Sequence, residues 1–129
     1  MAGRSGELVT EHTVFEIGSV TKLFTALLLA DMARRGEVTL DTAVAELLPM
    51  GTRVPDRNGV PITLAHLATH SSGLPRLPDD IVVGSPDPYA NYTSERLYAF
   101  LGRHELHRTP GESVEYSNLG AGLLDQMFA

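Results

Sequence analysis

The chain has no cysteine, no tryptophan, a single lysine and only 6% aromatic residues among 129. Without cysteine there is no disulfide framework, no thiolate metal site and no thiol nucleophile, so covalent catalysis must use Ser, Thr, Lys or a carboxylate. Long hydrophobic runs are absent too. Between Lys22 and Asp31 lie eight uncharged residues, far short of the roughly 20 that a bilayer span requires. The charges at and ahead of that stretch, Arg4, Glu7, Glu11, Glu16 and Lys22, sum to −1, where an export signal starts positive. No export signal is read, and a cytoplasmic location is the default expectation. Positive charge is also scarce: 10 Lys and Arg against 16 Asp and Glu leave a net charge of −6. The arginines are scattered and form no basic stripe, which argues against a nucleic-acid partner.

What is present suffices for a globular core. Hydrophobic residues make up 43% and charged ones 20%, and the length fits one domain, residues 1–129. Leu8 to Ile17 is rich in β-branched and aromatic residues and reads as extended. From Val20 to Arg35, Leu23, Phe24, Leu27, Leu28 and Met32 recur at helical spacing, while Ala26, Leu29, Ala30 and Ala33 make the other faces apolar. A helix apolar nearly all round is expected to be buried. Gly36 supplies its C-terminal stop. Asp41 is a candidate cap for a short helix over Thr42 to Leu48, Thr63 for one over Leu64 to Thr69, and Thr93 or Ser94 for one reaching Gly102. Arg76 to Asn91 reads as irregular, Val114 to Tyr116 as briefly extended, and Ser117 or Asn118 as the start of a last helix.

The residues with chemistry begin with Ser19-Val20-Thr21-Lys22. Lys22 is the only lysine among ten basic residues. Arg stays charged and cannot act as a base, whereas Lys can where its surroundings favour the neutral amine. Read as a simple helix start, Ser19 is the cap and Lys22 the third helical residue, where a capping box wants Glu or Gln and the dipole repels a cation. That misplaced charge marks a functional constraint. One helical turn separates the pair, so both side chains share a face and the amine can reach the hydroxyl. Tyr116-Ser117-Asn118, after the Pro110-Gly111 turn, has a plain reading as a packed Tyr beside a helix cap. It also has a chemical one, a phenol that relays protons and an amide that holds a carbonyl.

The run Phe15-Glu16-Ile17-Gly18-Ser19-Val20-Thr21-Lys22 resembles the active-site signature of the class C β-lactamase family, which also includes DD-carboxypeptidases, D-aminopeptidases and esterases. Thr21 departs slightly, since Ser or Ala is more usual there. His70-Ser71-Ser72-Gly73-Leu74-Pro75 resembles the family's H-T/S-S-G-L element, and Pro110-Gly111 ahead of Tyr116-Ser117-Asn118 its P-G…Y-S-N element. The resemblance implies Ser19 as acyl-accepting nucleophile, Lys22 as its proton acceptor, Tyr116 as second base or relay, and Asn118 as a substrate contact. It gives His70 and Gly73 a structural place only. The substrate it implies is a small acyl donor, a β-lactam, a D-amino-acid peptide or an ester, with no metal or organic cofactor.

The family's third motif, K-T-G or H-x-G on a sheet strand, does not occur in the 11 residues after Asn118. The expected fold is therefore mainly α with a few short strands, the helical region of the α+β serine β-lactamase/DD-peptidase-like fold with its sheet largely missing, and poorly active as it stands. Two other readings compete. A non-catalytic helical remnant or interaction module of the same fold differs in one observable, acylation of Ser19. A metal site is suggested by His66 and His70, four apart, and by His104 and His107, but no third ligand is fixed and the order H-E-x-x-H is not met.

Overall fold

A computed structural model describes residues 6, 8–81, 87 and 89–128. Among them every regular element is helical: a 3₁₀ turn over Gly18–Val20, then α1 (Thr21–Arg34), α2 (Val44–Leu47), α3 (Leu64–Ala68), α4 (Ser94–Arg103) and α5 (Asn118–Phe128). The few short strands expected are reduced to two isolated antiparallel bridges among the described residues, Ala43 with Thr63 and Arg57 with Val60. Apart from a lone bridge position at Leu8, the described part of Leu8 to Ile17 is turn and coil. Its β-branched residues meet no partner strand among the described residues, and a strand without a ladder is not stable. Arg76 to Ile81 is irregular as expected; much of the remaining stretch to Asn91 lies outside the described residues.

Several helix ends follow from local chemistry. Gly36, at φ 75°, lets the chain turn back after α1. Its N–H donates to the Ala33 carbonyl at 3.1 Å and that of Glu37 to Met32 at 3.0 Å, the paired bonds of a Schellman stop. Thr63 opens α3 with a capping box in which Thr63 Oγ1 accepts from His66 N–H and His66 Nδ1 accepts from Thr63 N–H. Thr93 caps α4 by accepting from Arg96 N–H. Two expected caps are not formed. Ala43, not Asp41, precedes α2 and has no polar side-chain atom to cap it, while the Val44 N–H that a cap at Asp41 would have taken donates to the Ile62 carbonyl at 2.9 Å. Ser19 lies inside the 3₁₀ turn, so Val20 is the cap position of α1 and Lys22 its second residue, not its third.

The core is one cluster in which α3 packs on α5. Phe100 and Leu101 of α4, Leu64 and Leu67 of α3, Leu119, Leu123 and Leu124 of α5, and Val44, Ile62, Leu74 and Leu106 are all buried. Helix α1 touches this cluster along one edge, through Leu29, beside α5. The expectation of a buried α1 is corrected here: Leu23, Phe24, Leu27 and Leu28 are exposed, Leu27 by 67%. An all-round apolar sequence reports that partners are wanted on every side, and among the described residues only the Thr25–Leu29 edge is buried against one. No helix among the described residues is long and apolar enough to cross a membrane.

This contrast between core and exposed face is measurable. Truncating Phe100, 1% exposed, to Ala should cost about 3–5 kcal/mol in urea denaturation, while Leu27→Ala should stay within about 0.5 kcal/mol of the parent. A loss at Leu27 as large as at Phe100 would mean that the outer face of α1 is covered in solution.

Candidate active site

Two elements bring the chemistry together. The 3₁₀ turn passes directly into α1, so Ser19 and Lys22 stand one turn apart and Lys22 Nζ donates to Ser19 Oγ at 3.2 Å. Ser19 is exposed and Lys22 half-buried. Tyr116, just ahead of α5, reaches Ser19 from the other side: its hydroxyl lies 2.7 Å from Ser19 Oγ and donates to it. The three residues singled out in the sequence thus share one hydroxyl oxygen. The fourth, Asn118, makes no hydrogen bond to them. Its Oδ1 is buried without a partner, and the residue lines a cavity of about 210 Å³ with Leu77, Pro78, Ile81, Tyr92 and Leu97.

The approach of α1 to α5 is fixed by a polar contact inside an apolar seam. Thr25, buried and one turn beyond Lys22, donates its hydroxyl to the Asp125 carboxylate. Asp125 is the only charged residue of α5, and a lone carboxylate in an apolar helix is the signal that could have disclosed this contact in the sequence.

Tyr116 is held by the loop 70–76. Glu115 N–H donates to the His70 carbonyl at 2.8 Å, and Asn118 and Leu119 N–H both donate to the Arg76 carbonyl, at 3.0 and 3.2 Å. Ser117 N–H donates to His70 Nδ1 at 3.2 Å and Ser117 Oγ to the Pro75 carbonyl at 2.7 Å. Ser117 Oγ also caps α5, accepting from Gly120 N–H at 2.8 Å. The loop closes tightly at Gly73. Its φ of +80° strains any L side chain, and an added Cβ would crowd the Arg108 carbonyl at 3.1 Å.

His70 was given no role beyond structure in the sequence, and its spacing from His66 suggested a metal pair. In the structure α3 has ended by then and His70 takes φ +58°, a left-handed conformation rare outside glycine. The ring nitrogen Nδ1 of each histidine accepts a backbone N–H, His66 in the α3 cap and His70 from Ser117. The His70 ring also lies against that of Tyr116, centroids 4.6 Å apart. His70 is thus a positioning residue for Tyr116, and the signal was the loop that follows it.

Charge around the phenol is positive. Lys22 Nζ and the Arg76 guanidinium each stand 5.1 Å from the Tyr116 ring centroid. The Tyr116 pKa lies below the ordinary phenol value, first through its hydrogen bond with Lys22, then through that with Ser19. Burial and the Lys22 charge push the His70 pKa down, and burial does the same to His104.

A family model described as Beta-lactamase matches residues 2–129. D-alanyl-D-alanine-carboxypeptidase/endopeptidase AmpH of Escherichia coli K12 is 38% identical over 117 residues, 91% of this chain and 30% of its own length. A beta-lactamase of the same organism is 36% identical over 89% of this chain and 28% of its own. Among solved structures, a beta-lactamase/D-alanine carboxypeptidase from Yersinia pestis superposes with a TM-score of 0.78 at 33% identity, covering 84% of this chain and 31% of that one. The chain therefore spans about a third of the length of the relatives it matches.

The His70 contact generates a test. Both histidines have folded pKa values below 6.5, so their stabilising share is complete above that value and is lost as pH falls through the folded values. His70→Asn, which tolerates the left-handed backbone and keeps an acceptor near Nδ1, should flatten the decline in thermal stability between about pH 7 and 5. His70→Ala, leaving the Ser117 N–H unpaired, should cost about 1–3 kcal/mol. An unchanged decline in the Asn variant would remove His70 as its source.

Proposed function

This chain belongs to the Beta-lactamase family, and we propose that it transfers acyl groups through Ser19, with Lys22 and Tyr116 as the proton-handling pair. The observation that carries this reading is the meeting of Lys22 Nζ and the Tyr116 hydroxyl on one exposed serine oxygen, at 3.2 and 2.7 Å. A serine hydroxyl is a weak nucleophile until a neighbouring base takes its proton. Lys22 Nζ and the Tyr116 hydroxyl both touch Ser19 Oγ, and the Lys22 amine stands beside the phenol ring, so loss of one proton from the pair creates that base. As Ser19 Oγ bonds to the substrate carbonyl carbon, its proton passes to the pair. As the carbonyl's bond to its leaving nitrogen or oxygen breaks, the pair returns a proton to the departing atom. Water then cleaves the Ser19 ester by the same route in reverse. Asn118 is assigned to the substrate's polar groups, since a buried Oδ1 without a partner is an acceptor waiting for a donor.

The substrates assigned are β-lactams, D-alanyl peptides and simple esters. The names of the Escherichia coli and Yersinia relatives, which between them give carboxypeptidase and β-lactamase, support the first two of these. The alternative, a helical module without turnover, has the same fold and no acylation.

Fluorescent penicillin followed by intact-mass analysis and peptide mapping should place one adduct on Ser19, absent in Ser19→Ala. Lys22→Arg keeps length and charge but accepts no proton, so labelling should fall by about 10² or more with an unchanged circular dichroism spectrum. Labelling that survives in Ser19→Ala would remove Ser19 as the nucleophile, and absence of any adduct would favour the non-catalytic module.

The rate of labelling should also rise with pH through a midpoint below the ordinary phenol value of about 10, because Lys22 and Ser19 favour the phenolate of Tyr116. Tyr116→Phe should abolish that limb. A pH profile that is identical in the Phe variant would take Tyr116 out of the proton path.

A further inference from the structure

We infer that Arg76 is an anion contact which selects substrates carrying a carboxylate a few bonds from the carbonyl attacked by Ser19; this rests on the acyl-transfer reading above. The side chain is exposed, and its guanidinium lies 5.1 Å from the ring centroid of Tyr116, whose hydroxyl touches Ser19 Oγ. It is therefore beside the reacting serine.

The charge of Arg76 is uncommitted. Every other described arginine has a polar partner. Arg34, Arg35, Arg96, Arg103 and Arg108 pair with carboxylates, and Arg53 and Arg57 donate to backbone carbonyls. Among the described arginines Arg76 alone has neither, and its guanidinium lies over the Tyr116 ring. The acidic residues closest along the chain are engaged elsewhere: Asp79 with Arg103, and Asp80 with Arg96, Arg103 and the Tyr92 hydroxyl. Glu115, next to Tyr116, is paired with Arg108. In a chain of net charge −6, an unpaired guanidinium beside the nucleophile is not explained by the fold.

The residue's backbone has a structural duty that its side chain does not share. The Arg76 carbonyl accepts the N–H groups of Asn118 and Leu119 at the start of α5, so the Cα is fixed relative to Tyr116 whatever side chain it bears. That makes the guanidinium a positioned group on a fixed base, and one whose replacement leaves the loop's hydrogen bonds in place. Planar and carrying five donors, it suits a carboxylate better than a phenyl face alone.

The test compares two acyl donors of equal length and identical leaving group, the p-nitrophenyl half-ester of adipate and p-nitrophenyl hexanoate, reading acylation of Ser19 by intact mass. The wild type should favour the anionic donor by about two- to fivefold, as an exposed charge contact provides, with the preference shrinking as salt rises. In Arg76→Gln the ratio should fall to about one, whatever happens to either rate alone. A second measurement does not need acylation: adipate titrated into protein with ¹³C-labelled tyrosine should shift the Tyr116 ring signals in the wild type and not in Arg76→Gln. A wild-type ratio of one, or a preference that survives in Arg76→Gln, overturns the inference while leaving acyl transfer standing. A titration shift lost in Arg76→Gln, with no adduct from either ester, supports the anion contact and fails the acyl-transfer reading instead. No shift and no adduct overturn both.

Discussion

The geometry around Ser19 depends on the way loop 70–76 receives the backbone of residues 115–119. Four N–H groups and one hydroxyl from that short stretch find their acceptors on His70, Pro75 and Arg76. Each such bond adds only about 0.5–1.5 kcal/mol net, but leaving one buried donor unmade costs more than making it gains. The loop and the Tyr116 segment therefore form as a unit. Tyr116 itself is half-exposed and has no core packing to locate it. Its hydroxyl arrives at Ser19 because the chain on either side is fastened, and because Thr25 and Asp125 fix the helix that carries Ser19 against the helix that follows Tyr116.

What the sequence disclosed divides along the range of the interaction. The stop at Gly36 and the caps at Thr63 and Thr93 each involve residues within a few positions of one another, and all three appear where expected. Asp41 failed as a cap through a more distant competitor, the Ile62 carbonyl that accepts the Val44 N–H. The extended segment from Leu8 to Ile17 and the burial of α1 failed for a different reason. Both rested on composition, which shows what a segment can bury or pair with but not whether a partner is there. Leu23, Phe24 and Leu27 read as core residues and lie on the surface.

The same division runs through the site. Ser19 and Lys22 are three apart, so helical geometry alone brings them together, and their contact was legible from spacing even though the helix starts one residue later than expected. Tyr116 is 97 residues from Ser19. No periodicity links them, and only the family resemblance joined them before the structure did. His70 shows the limit of motif spacing. Four residues from His66, it looked like half of a metal pair, yet a left-handed residue beyond the helix end turns its ring onto Tyr116 instead. The spacing argument assumed a helix that had already ended at Ala68.

Electrostatics add a constraint that neither composition nor fold class contains. The chain is acidic as a whole, yet the acids nearest to Tyr116 along the two segments that hold it are spent on arginines, Glu115 on Arg108 and Asp79 and Asp80 on Arg103 and Arg96. Two cations, Lys22 and Arg76, remain against the phenol ring. A local positive field inside a negative surface favours the ionised phenol over the neutral one and attracts negative charge to that point alone. One arrangement of charge thus bears on two things at once, the readiness of Tyr116 to accept a proton and the kind of molecule that approaches Ser19. It rests on pairing arginines elsewhere as much as on leaving two cations free here.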